Sequence, residues 1–119
     1  MEVIFPFIYQ VLRLLNENSA NIYCRNQNGS NALHIVAKKG LRAVVKELIK
    51  LKFPLDKLKD NGLSALAVAA SKGQLEIMRD LIEAGADANQ IGKSGLTPLY
   101  MAIKGNYIEC VRLLIARGA

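Results

Sequence analysis

One number constrains this chain more than any other: a step of 33 residues. Gly29, Gly62 and Gly95 are separated by that step. So are Leu33, Leu66 and Leu99, then Val36, Ala69 and Ala102, then Val44, Ile77 and Cys110, then Leu48, Leu81 and Leu114. A fixed period of this size marks stacked supersecondary units. Each unit buries its apolar face only against its neighbours, so a single globular core is excluded.

Residues 61–89, NGLSALAVAASKGQLEIMRDLIEAGADAN, show the unit most regularly. Asn61-Gly62 opens a turn, because Gly takes a positive φ without steric cost. The spacing predicts a small-residue helix over 64–72, a break at Gly73, an amphipathic helix over 75–83 and a stop at Gly85. One period earlier, Asn28-Gly29 opens a unit with helices expected over 32–39 and 42–51, broken by Gly40. Lys52-Phe53-Pro54 then stands where the regular unit has Gly85-Ala86-Asp87. Without Gly the second helix is expected to end differently, with Pro54 as the stop, leaving a distorted and weak joint over 52–58. In the last unit Thr97 suits a helix cap and Pro98 the first helical position. Asn106 replaces Gly40 and Gly73, and Asn is the next-best residue for a left-handed turn.

The segments GLTPLYMA at 95–102, NALHIVA at 31–37 and EAGADAN at 83–89 resemble the ankyrin repeat, and the resemblance extends over about residues 8–119. It implies an all-α solenoid of stacked helix-turn-helix units with short β-turn or hairpin tips. Residues 1–26 read as a capping half-repeat, with an apolar stripe at Val11, Leu14 and Leu15. Repeats over about 27–59, 60–92 and 93–119 follow in one continuous domain. The resemblance also implies that His34, in the His position of the Thr-Pro-Leu-His motif, hydrogen-bonds the neighbouring turn. Ala67 and Tyr100 take its place in the other repeats. Family members are non-catalytic binding modules whose partners meet the turn tips and inner helices.

Composition narrows the partners. The 119 residues are 51% hydrophobic, which excludes a mainly disordered polymer, and carry a net charge of +6 with pI ≈ 9.5, which favours acidic partners. No apolar run reaches the roughly 18 residues that span a bilayer. Residues 1–9 are apolar but lack a basic flank and contain Glu2 and Pro6, so they read as cover for the first repeat rather than a signal peptide. Cys24 and Cys110 fall in the first and last units, too far apart to bridge, and reduced thiols suit an intracellular setting, cytoplasm or nucleus, with a host-targeted secreted effector as the alternative.

Little here points to chemistry. His34 is the only histidine, and with two scattered cysteines it forms no metal set. Gly92-Lys93-Ser94 falls short of a phosphate loop, which requires Gly at the position held by Asp87. Asn28-Gly29-Ser30 fits a glycosylation sequon on a turn the fold already explains. No nucleophile has a plausible base, so no enzyme activity and no cofactor are expected.

The expected partner-binding residues are Leu63, Leu96, Lys38, Lys39, Lys72, Lys93, Met101 and Lys104. Leu63 and Leu96 are apolar at tips that should face water, and the lysines form a basic band behind them. Such a face suits an acidic segment bearing apolar anchors. Nucleic acid fits poorly, because the band has few aromatics and no arginine cluster. A membrane surface fits no better, because no helix joins a wide basic face to a bulky apolar one. Ile108, Val111, Leu114 and Ile115 are expected to lie uncovered at the C-terminal end. That end would favour self-association or further repeats, and the alternative role of a structural or regulatory segment that packs on its own longer chain.

Overall fold

The computed structural model describes residues 27, 29–92 and 95–118. The expected capping half-repeat over 1–26 lies outside them, as do Asn28, Lys93 and Ser94. Six helices run through the described residues: α1 Ala32–Lys39, α2 Arg42–Lys50, α3 Ala65–Ser71, α4 Leu75–Glu83, α5 Pro98–Lys104 and α6 Ile108–Ala116. No strand occurs among the described residues, and the architecture is all-α, as the resemblance to the ankyrin repeat implies. The boundaries read from the sequence differ from these by at most one residue.

The first helix of each pair begins on a polar cap one period apart from the next. Asn31 Oδ1 accepts from the His34 backbone N–H at 3.0 Å, Ser64 Oγ from Ala67 N–H at 3.2 Å and Thr97 Oγ1 from Tyr100 N–H at 3.1 Å. Each satisfies one of the free N–H groups of a first turn, worth about 1 kcal/mol. Pro98 takes the first helical position behind Thr97. These helices then stop on a left-handed residue: Gly40 at φ 76°, Gly73 at φ 67° and Asn106 at φ 60°. Leu41, Gln74 and Tyr107 donate their N–H groups back to Val36, Ala69 and Ala102, so Asn106 does the work of glycine in the last repeat.

The end of α2 corrects one expectation. The helix does not stop by a separate route through Pro54. Lys52 adopts φ 61°, the same left-handed turn that Gly85 makes at φ 104° one period later. Phe53 N–H reaches Leu48 O at 3.0 Å, as Ala86 N–H reaches Leu81 O at 2.9 Å. The backbone hydrogen bonds that close the helix set the conformation, and Lys52 accepts the strain that Gly85 avoids. Phe53 is buried at the junction. Beyond it, Asp56 ties the loop to the next repeat, accepting from Asp87 N–H at 2.9 Å and, through its carbonyl, from the Gln90 side chain at 2.8 Å.

The helices form two layers. First helices stack on first helices, α1 on α3 on α5, and second on second, α2 on α4 on α6. The inner layer packs closely because its contact positions are small: Ala37, Ala69, Ala70 and Ala102 are fully buried. Leu33, Val45, Leu48, Leu66, Met78, Leu81 and Leu114 fill the space between layers and repeats. Each fully buried leucine contributes roughly 1.5–3 kcal/mol by area. Leu114 is core rather than uncovered, because it is fully buried in the shared apolar cluster, while Ile108 and Ile115 of α6 are exposed and Val111 is half-buried. No helix of the described residues is long and apolar enough to cross a membrane.

Charge is divided between the layers. In the outer one, Arg42 forms a two-pronged pair with Asp80 at 2.8 and 3.2 Å, joining α2 to α4. That hydrogen bond, ahead of the nearby charges, pushes the Arg42 guanidinium further up from its ordinary range. Arg79 pairs with Glu76, Arg112 with Glu109, Arg117 with Glu83 and Lys50 with Glu47. The outer helices are balanced: α2 holds three basic residues and one acidic, α4 one basic and three acidic, α6 one of each. The inner helices contain no Asp or Glu, yet Lys38, Lys39 and Lys104 lie in them and Lys72 caps α3.

Candidate partner-binding face

The tips are tight turns that overhang the inner helices. In the second repeat Gly62 N–H donates to Lys59 O, and Lys59 N–H to Leu63 O, both at 2.9 Å. In the third, Gly95 N–H donates to Gly92 O and Gly92 N–H to Leu96 O, both at 3.0 Å. The tips touch each other closely enough that a methyl group on Gly92 would lie 1.9 Å from the Gly62 carbonyl oxygen. This contact gives Gly92 a steric role that has nothing to do with phosphate.

His34 ties the first repeat to the second tip. Its Nε2 lies 3.1 Å from Leu63 O, and its Nδ1 accepts from Asn31 N–H at 3.1 Å. Since Nδ1 accepts, Nε2 carries the proton and donates to the Leu63 carbonyl. With Asn31 Oδ1 on the His34 N–H, the two residues close a reciprocal cap in which His stands where Glu or Gln usually does. The turn-bonding role implied by the resemblance is thus in place. Metal-ligating clusters of three or more His, Cys, Asp or Glu are absent among the described residues.

The expected binding residues divide. Lys38, Lys39, Lys72 and Lys104 are exposed on the inner layer, and Met101 is half-buried beside them. Lys93 lies outside the described residues. Leu63 is a correction: it is 7% exposed, packed with Ala67 and Val68 rather than turned to water, and Leu96 is half-buried against the same group. The turn that closes each tip directs the following leucine down onto the inner helix, where burial stabilises it. Ser30, at the first tip, is buried as well.

Lysines 38 and 39 come together with a residue that the period did not single out. Lys59, at the base of the second tip, joins Ser30, Ile35 and Val68 around a cavity of about 280 Å³ between the first and second repeats, with His34 at its inner wall. Lys59 has no basic counterpart one period away in either direction, where Asn26 and Gly92 stand. Only its hairpin position brings it opposite Lys38. Lys72 and Lys104 do not line this cavity.

A sequence profile for "Ankyrin repeats (3 copies)" matches residues 7–92 and, in a second overlapping placement, residues 56–119. The chain belongs to the ankyrin repeat family. A search of curated protein sequences found no match. Ankyrin repeats are generally protein–protein interaction modules and generally non-enzymatic.

Proposed function

We propose that this chain is a binding module that holds an exposed segment of a protein partner across its inner helices and turn tips. One observation carries the reading: the charge division between layers. The outer helices carry as many carboxylates as basic residues and their arginines are all paired, whereas the inner helices carry no carboxylate and Lys38, Lys39, Lys72 and Lys104 have no ion pair among the described residues. Unneutralised charge on one face steers an oppositely charged partner and orients it on arrival. Met101 and Ile35 supply apolar contact beside the lysines. Leu63, buried, supports the tip rather than touching the partner.

The test is a photo-crosslinking amino acid placed in turn at Ile35, Lys72 and Lys104 on the inner layer and at Lys46 and Arg112 on the outer. A partner adduct from the inner positions alone supports the reading. Adducts from the outer positions, or from neither set, overturn it.

A further inference from the structure

We propose that the cavity between the first and second repeats is a pocket for one carboxylate side chain, Glu or Asp, of the partner segment. The proposal deepens the inner-face reading above and rests on it. Lys38 and Lys39 border the cavity from the end of α1 and Lys59 from the base of the second tip, so three lysine side chains from two repeats line one space. None of the three has a carboxylate partner among the described residues. The neighbouring Asp60 does not line the cavity; its carboxylate lies over the Gly29 turn. Positive side chains bordering a concave, partly apolar space focus potential there.

The walls select the ligand. Ile35 and Val68 give apolar surface against which the methylene stem of an acidic side chain packs. No arginine lines the cavity, so an anion there meets lysine point charges, which hold a carboxylate without requiring the two-pronged geometry of a guanidinium. The volume, about 280 Å³, lies just below the range of about 300–1,000 Å³ typical of pockets for drug-sized ligands, and suits a single side chain. The pocket is also held in shape. Leu63 O accepts both from Lys59 N–H at 2.9 Å and from His34 Nε2 at 3.1 Å, which locks the base of the tip over α1. The other repeats have Ala67 and Tyr100 where this one has His34, so this lock belongs to the first junction.

The experiment is selection of a random peptide library displayed on phage against the intact chain, followed by anisotropy titration of a synthetic selected peptide. The expected result is a shared Glu or Asp whose replacement by Gln or Asn weakens binding about tenfold. Lys59→Gln and Lys38→Gln weaken the acidic peptide by about three- to tenfold but leave the Gln or Asn peptide unchanged, and the effect shrinks with added salt. Unchanged thermal melts for the lysine variants separate this from loss of fold. Peptides that cross-link to Ile35 and Lys72 positions without an acidic residue overturn the carboxylate pocket and leave the inner-face reading standing. The same holds for an acidic residue insensitive to both lysines. A phosphoserine peptide or a single-stranded oligonucleotide that binds these lysines about tenfold more tightly overturns it in favour of phosphate. Peptides that cross-link only to the outer layer, or no enrichment at all, overturn both.

Discussion

Lys52→Gly should stabilise this protein, although it removes a side chain and adds backbone freedom. Lys52 sits at φ 61°, where a Cβ crowds the following carbonyl. That conformation costs an L-residue roughly 1–2 kcal/mol and glycine almost nothing. Glycine also loosens the unfolded chain, which offsets about 0.4–1 kcal/mol of the gain. The Lys52 side chain is exposed and has no ion pair or hydrogen bond among the described residues, so nothing else is lost. The net expectation is a gain of about 0.5–1 kcal/mol, or a rise in Tm of about 2–6 °C for a domain of this size. Circular dichroism melts and urea titrations measure it. Lys52→Ala keeps the Cβ and should leave Tm nearly unchanged. Gly85→Ala, at φ 104°, introduces the same strain one period later and should lower stability by roughly 1–2 kcal/mol. If Lys52→Gly lowers Tm, or Gly85→Ala is neutral, the two helices do not end in the same left-handed turn.

Three further outcomes follow from the packing. Leu66→Ala and Leu81→Ala, both at positions buried to 1% exposure or less, should each cost about 2–5 kcal/mol in urea unfolding, and a loss below about 1 kcal/mol would place that leucine outside the core. Gly92→Ala should cost about 1–3 kcal/mol, because its methyl meets backbone atoms of Gly62 that no rotamer change can move; a neutral result would mean the tips do not touch. Burial, and then the charge of Glu109, push the Cys110 thiol up. The native state therefore keeps its proton where the unfolded chain has lost it. That contribution is complete below the unfolded thiol pKa of about 8.5 and is lost as pH rises through the higher folded value. Wild type should lose more urea resistance than Cys110→Ala across this alkaline window, and parallel curves would contradict it.

The repeat positions were legible because burial in a solenoid depends on nearest neighbours, so a residue's role returns with its period. The caps at Asn31, Ser64 and Thr97 and the turns at Gly40, Gly73 and Asn106 are local devices, and local chemistry is readable along the chain. The candidate face was legible only in part. Lys38, Lys39, Lys72 and Lys104 were visible as a band, since they recur on the solvent side of the first helices. Leu63 misled, because its place after a glycine turn says nothing of whether the tip folds down or stands away. Lys59 carried no periodic signal at all.

What the sequence determined by itself is the unit: its length, its two helices, their caps and breaks, and the leucines that stack. These depend on interactions within a few residues or exactly one step away. What only the tertiary structure decided lies across the steps. Lys52 takes a glycine's conformation because the helix-closing hydrogen bonds to Leu48 and Ile49 outweigh the strain on one residue. His34 fixes the neighbouring tip, and that tip sets Lys59 opposite Lys38, two residues 21 positions apart that share neither a helix nor a period. Pairing of this kind depends on how one unit is placed against the next, which is settled by packing and has no trace in the spacing of either residue.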